Sequence, residues 1–119
     1  MANETKPLVT LEDSLEKLDI RVGRIVSVEL ETRTHKPTYK KTIDFGKFGD
    51  RISYGRFTQH PIESVMGRLV LGVLNFKPRQ MGPVTSEVLI LGVQYPKAES
   101  GEATFITTAA DARLGSKLF

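Results

Sequence analysis

Asn75-Phe76-Lys77-Pro78-Arg79-Gln80-Met81-Gly82-Pro83-Val84-Thr85-Ser86-Glu87-Val88-Leu89-Ile90-Leu91-Gly92 is the stretch on which the fold turns. It is entered from Arg68 to Phe76, an almost unbroken apolar run (Leu69, Val70, Leu71, Val73, Leu74) that reads as a strand buried on both faces. Lys77 to Thr85 holds Pro78, Gly82 and Pro83, which interrupt regular structure, and is expected to be a loop. Val88 to Val93 is apolar again and predicts a second buried strand.

Working outward, Thr10 is placed to cap a short helix whose Leu11, Leu15 and Leu18 share one face. Such a helix is too short to persist alone, so its leucines need a surface to cover. Ile20 to Leu30 is rich in β-branched residues and predicts a strand. Its alternation slips at Ile25, which falls opposite Ile20, Val22, Val26 and Val28, and Gly23 is the expected bend or bulge. Thr32 to Thr38 is a polar loop. Further strands are expected over Tyr39 to Phe45 and Arg51 to Phe57, joined by a turn at Lys47-Phe48-Gly49-Asp50. Ile62, Val65 and Met66 follow Pro61 at helical spacing, with Thr58 as cap and Gly67 as stop. After Tyr95-Pro96 come an acidic loop, a short strand at Thr104 to Thr108 and a polar tail ending in Leu118-Phe119. A helix between the third and fourth of five strands is the order of an OB-fold. The expected class is therefore all-β with short helices, a five-stranded OB-fold β-barrel. Residues 1–17 form an N-terminal helical extension, 18–93 the barrel, and 94–119 a C-terminal extension.

A chain of 119 residues has room for one domain with a real core. Without cysteine it has no disulfide, thiolate metal site or thiol nucleophile. His35 and His60 have no carboxylate or thiol at ligand spacing, so neither a metal nor a cofactor is expected. No Gly-x-Ser-x-Gly occurs, and Gly46 with Gly49 is a turn pair instead of a phosphate loop; nothing points to an enzyme. No basic start precedes an apolar run at the N-terminus, and no segment nears the roughly 18 apolar residues of a membrane span. A soluble, cytoplasmic protein without membrane insertion is the expectation. Net charge is only +3, yet Arg33, His35, Lys36, Lys40, Lys41, Lys47, Arg51, Arg56, Arg68, Lys77 and Arg79 make the middle basic. That distribution suits a polyanionic partner.

Three stretches carry a family resemblance. Lys17-Leu18-Asp19-Ile20-Arg21-Val22-Gly23-Arg24-Ile25-Val26 is similar to the opening strand of tRNA-binding domains, the OB-folds found free or appended to aminoacyl-tRNA synthetases. Asn75 to Gly92 resembles the paired strands and loop that end that domain, and Ile43-Asp44-Phe45-Gly46 resembles the CsaA branch. The likeness runs from about Leu18 to Gly92. One departure is Ser53-Tyr54-Gly55-Arg56, where CsaA-like proteins carry Ser-Ser-Ala-Gln. The resemblance implies a CsaA-like secretion chaperone holding unfolded or exported polypeptides, with tRNA or structured RNA as a further ligand. A dedicated tRNA-binding module or synthetase accessory is the alternative.

On that resemblance the RNA-binding candidates are Arg33, Lys36, Lys40, Ser53, Tyr54, Arg56, Asn75, Lys77, Arg79 and Ser86. The cations would meet phosphates, and an exposed Tyr54 would stack on an unpaired base. Asn75 and Ser86 would contact base edges or ribose, or else tie down backbone beside a turn; both readings stand. Phe57, Phe76 and Met81 are the candidate lining of a peptide groove. Leu11, Leu15, Leu18 and Phe119 are the candidate homodimer interface, the alternative being that both ends cap their own barrel.

Overall fold

A computed structural model describes residues 4–119; residues 1–3, the start of the expected N-terminal extension, lie outside the described residues. The strands are β1 (Ile20–Glu31), β2 (Thr38–Asp44), β3 (Asp50–Gly55), β4 (Leu69–Val73), β5 (Arg79–Met81), β6 (Val84–Ser86), β7 (Leu89–Ile90), β8 (Gly92–Gln94) and β9 (Ala103–Phe105). Five of them form one antiparallel sheet in the order β3-β2-β1-β4-β7. It curls into a nearly closed barrel of the OB kind. One helical turn, α1 (Ile62–Val65), joins β3 to β4 and buries Val65 in the core; Met66 is its C-cap, and Gly67, the expected stop, follows with φ of +81°.

The long β1 serves two neighbours because it bends. Ile25 pairs with Ile43 and Ser27 with Thr42, so Val26 is the extra residue of a bulge. That insertion re-phases the strand, and Ile25 and Val28 both reach the core. The bulge is thus at Val26, not at Gly23. Gly23 has a different task. A β-carbon there would lie 2.5 Å from Ile43 Cγ2 and 2.7 Å from the ring of Phe45, and one at Gly72 would lie 2.7 Å from the same ring. Two glycines on adjacent strands leave the hollow that the fully buried Phe45 fills.

The last side of the barrel is closed by one backbone bond and two side-chain acceptors. Glu87 N–H donates to Ile52 O (2.8 Å), while the Ile52 and Tyr54 N–H groups donate to Glu87 Oε1 (2.8 Å) and Ser86 Oγ (3.1 Å). The edge of β3 is satisfied without a regular ladder. The expected strand over Val88 to Val93 is divided: β7 stays on the barrel, whereas β8 turns away to pair with β9. Phe105 of β9 stacks on Phe57 at 4.1 Å, so this part of the C-terminal extension caps its own barrel.

The N-terminal segment and the entry to α1 also differ from expectation. The N-terminal leucines form a turn and a single 3-10 turn (Leu15–Lys17) instead of an α-helix. Thr10 Oγ1 does accept from Asp13 N–H (3.1 Å), but Leu18 is extended, which stops the winding. The cause is tertiary: the Asn75 side chain binds Lys17 O and Asp19 N–H, both at 2.8 Å, holding the chain open where β1 begins. Thr58 likewise does not cap α1, whose N-cap is Pro61; its hydroxyl binds Glu102. At the other end, the tail joins the edge of β1 that β2 leaves free, through Val22 N–H to Ser116 O (3.0 Å) and Leu118 N–H to Ile20 O (2.9 Å).

Inside the barrel lies Lys41, with no exposed surface. Its Nζ sits 4.6 Å from the centre of the Phe57 ring and 3.4 Å from Tyr39 O, and no carboxylate among the described residues pairs with it. Burial pushes its amine down from 10.5 to about 7.

Two predictions follow from this interior. Gly23→Ala should lower the unfolding free energy by about 1–3 kcal/mol through overpacking against Phe45, read from urea denaturation; an unchanged midpoint would mean that the ring has room to move. Because the folded state holds the Lys41 proton less tightly than the unfolded chain, stability should rise as pH increases above 7 toward 10.5. The slope should approach about 1.4 kcal/mol per pH unit between pH 7.5 and 9, and Lys41→Met should flatten it while stabilising the protein at pH 7. A wild-type slope near zero would show that the amine is paired or hydrated.

Candidate nucleic-acid interface

The hairpin of β5 and β6 stands where a structureless loop is expected from Lys77 to Thr85. Gly82 and Pro83 are its two connecting residues. Gly82 has φ of +60°, the conformation that the first central residue of a type II′ turn requires. Read as a two-residue hairpin connection and not as a pair of breakers, Gly82-Pro83 is the signal that reveals it.

Two grooves border this hairpin. At its base, Phe76, Lys77, Pro78 and Arg79 face Ser86–Leu89 across about 330 Å³. At its tip, Met81 and Gly82 face Thr34, His35 and Lys36 of the β1–β2 loop, with Thr38 and Arg56, across about 320 Å³. These loops are the ligand-binding edges of OB barrels in general.

The expected cations fall into two groups. Arg33 is clamped by Glu31, Nε to Oε2 at 2.9 Å and Nη2 to Oε1 at 2.7 Å. Those bonds hold the Glu31 carboxyl down to about 2. Lys36 is paired with Glu99. Arg56 Nη2 reaches Glu99 (3.0 Å) and Glu102 (2.8 Å), and its Nη1 donates to Ser100 O (3.0 Å). By contrast Lys40, Lys77 and Arg79 form no ion pair among the described residues. Both residues of the base groove's rim, Lys77 and Arg79, are exposed.

The polar and aromatic candidates are placed as follows. Ser53 faces inward beside Lys41 and is buried. Tyr54 lies on the opposite face of the strand, across from Lys40, but is only 8% exposed, so no base can stack on it as it stands. Ser86 Oγ accepts from Tyr54 N–H and donates to Val88 O (3.1 Å), and both ends of the Asn75 amide bind the Lys17–Asp19 backbone. Of the two readings of these residues, backbone anchoring accounts for the hydrogen bonds present. Phe57 is in the core, stacked on Phe105, and does not line a groove. Phe76, at 45% exposed, lines the base groove and Met81 the tip groove.

His60 is likewise committed. Its Nε2 lies 2.9 Å from Thr104 Oγ1, and burial, with Arg68 nearby, holds its pKa below the usual imidazole range. No group of three or more His, Cys, Asp or Glu suited to a metal occurs among the described residues, and none of their helices is long and apolar enough to cross a membrane.

Sequence reasoning missed the carboxylates that decide which cations are available. Glu31 was within reach, two positions from Arg33. Glu99 is 63 positions from Lys36 and 43 from Arg56, so no local pattern announces these pairs. Glu87, which helps to close the barrel, is equally invisible until β3 is in place.

The sequence model of the family described as "Putative tRNA binding domain" matches residues 20–117. The methionine–tRNA ligase of Methanocaldococcus jannaschii is 31% identical over 104 residues, and that of Archaeoglobus fulgidus 30% over 115. These alignments take in 87% and 97% of the chain but only 15% and 17% of the ligases, so the chain matches a small part of their length. Among solved structures, the chaperone CsaA of Bacillus anthracis superposes with a TM-score of 0.84 at 28% identity, covering 95% of this chain and 100% of that one. The CsaA chaperone protein of Picrophilus torridus gives 0.82 at 30%, with 94% and 100% covered. The chain belongs to the tRNA-binding-domain family and is CsaA-like within it.

Proposed function

We propose that this chain is a non-catalytic cytoplasmic binding protein that takes RNA of the tRNA kind in the groove at the base of the β5–β6 hairpin. The observation that supports this most is the exposed Phe76 ring set beside Lys77 and Arg79, two cations that form no ion pair among the described residues. An aromatic face accepts an unstacked base whatever its identity, while neighbouring cations take the flanking phosphates. Lys40, on the outer face of β2, is a third cation with no ion pair among the described residues.

A second reading, polypeptide holding of the CsaA type, is favoured by the remaining lining: Pro78, Val88 and Leu89 make the floor apolar. An extended chain burying side chains there would depend on burial more than on charge. Export-bound or unfolded polypeptides are the ligands of this reading, and the methionine–tRNA ligase relatives favour a synthetase accessory as a variant of the first.

We also propose that the protein works as a homodimer. Leu11, Leu15 and Leu18 gather with Leu118 and Phe119 around one open depression, although no helix forms, and Phe119 is wholly exposed. An apolar cluster of this kind is suited to a second copy.

Gel shifts with tRNA across a salt series test the first reading. Binding should weaken steeply with salt, and Lys77→Glu with Arg79→Glu should abolish it; binding that ignores both salt and the charge reversal would refute it. Suppression of aggregation measured by light scattering tests the second. It should persist at higher salt and fail on Phe76→Ser. For the dimer, static light scattering should give twice the chain mass for wild type and the single mass for Leu11→Asp with Leu15→Asp; a monomeric wild type rejects the interface.

A further inference from the structure

The acidic loop after β8 is held in shape by its own bonds. The Gln94 amide donates to Tyr95 O (3.1 Å), Ala98 O (3.3 Å) and Glu99 O (3.0 Å), and its carbonyl accepts from Gly101 N–H (3.1 Å). Tyr95 N–H to Glu102 O (2.8 Å) closes it. The two glutamates it carries do different things. Glu102 has a side chain 4% exposed and accepts from Thr58 N–H (3.1 Å) and Oγ1 (2.9 Å) as well as from Arg56, so it secures the loop to the barrel. Glu99 is 56% exposed, and among the described residues its carboxylate binds cations alone, Lys36 on one oxygen and Arg56 on the other.

Lys36 and Arg56 come from the β1–β2 loop and from the end of β3, and both line the tip groove. Two cations converging on one point need an anion between them. A carboxylate and a phosphodiester serve equally well, since each offers paired oxygens to a guanidinium and an ammonium. Lys36 first, and Arg56 with it, hold the Glu99 carboxyl below the usual carboxylate range, so it is ionised at every physiological pH.

We propose that Glu99 is a built-in phosphate surrogate: by occupying the oxyanion position between Lys36 and Arg56, it withholds Lys36 from RNA, while Arg56 stays paired with Glu102, and so sets how strongly the groove prefers a polyanion. The inference rests on the RNA reading above and extends its footprint from the base groove to the tip groove. It explains why a chain with a basic centre leaves so few of its groove cations unpaired. It also makes ligand class a property of one exposed side chain: with the carboxylate in place, the groove is less selective for phosphates over uncharged chains.

Glu99→Gln tests it. Binding of tRNA at about 0.1 M salt should tighten roughly threefold to tenfold, and the plot of log K against log salt should steepen by about one phosphate contact. Glu99→Asp, which keeps the charge, should behave as wild type. Thermal melting should be unchanged in both, because Glu102 still holds Arg56, and aggregation suppression should not move. Equal affinity and slope for wild type and Glu99→Gln overturn the inference, while salt-dependent wild-type binding would leave the RNA reading in place. If Glu99→Asp tightens binding as Glu99→Gln does, charge is not the cause and the inference also falls. If neither wild type nor Glu99→Gln binds tRNA, both readings fall together.

Discussion

Phe45 organises this barrel. Its ring is fully buried just beyond the end of β2, and it lies against the bare backbones of Gly23 on β1 and Gly72 on β4. With no β-carbon at Gly23 or Gly72, the ring lies closer to both backbones than a side chain there would permit. The Val26 bulge then turns the second half of β1 over the core, bringing Val28 beside the buried Lys41. From this curvature follows the placing of the β1–β2 loop next to the β5–β6 hairpin, and hence of every residue in the two grooves.

The parts of the fold legible in the sequence were those set by burial alone. The apolar runs around Leu69–Val73 and Leu89–Ile90, and the β-branched run at Ile20–Val28, belong to strands because each supplies residues that the core buries, Val70, Ile90, Ile25 and Val28 among them. Where tertiary contacts decide, the pattern misled. Leu11, Leu15 and Leu18 have helical spacing, yet Asn75 grips the backbone beside them and the chain is already extended at Leu18. Gly82-Pro83 looks like a break and is a hairpin connection.

The candidate site was legible by residue type and not by availability. Lys36 and Arg56 stand among basic residues in the sequence, but the folded chain sets carboxylates against them from a loop far along the chain. Tyr54 and Ser53 were readable as a strand pair; which of them faced outward depends on a register that only the paired strands define, and the outward one is covered all the same. Lys77, Arg79 and Phe76 remain because they sit where the chain leaves β4 for the hairpin, beyond the reach of the acidic loop's ion pairs.

The seam between β3 and the Ser86-Glu87 segment has a consequence for motion. Amide groups of Ile52 and Tyr54 are shielded there by a carboxylate and a hydroxyl, which can rotate away, whereas the other strand pairs are stitched by backbone groups that cannot. The barrel therefore has a preferred line along which to breathe, with deuterium entering at these amides ahead of those between β1 and β2. That line passes beside the hairpin, because Ser86 and Glu87, which close it, also line the groove at the hairpin's base.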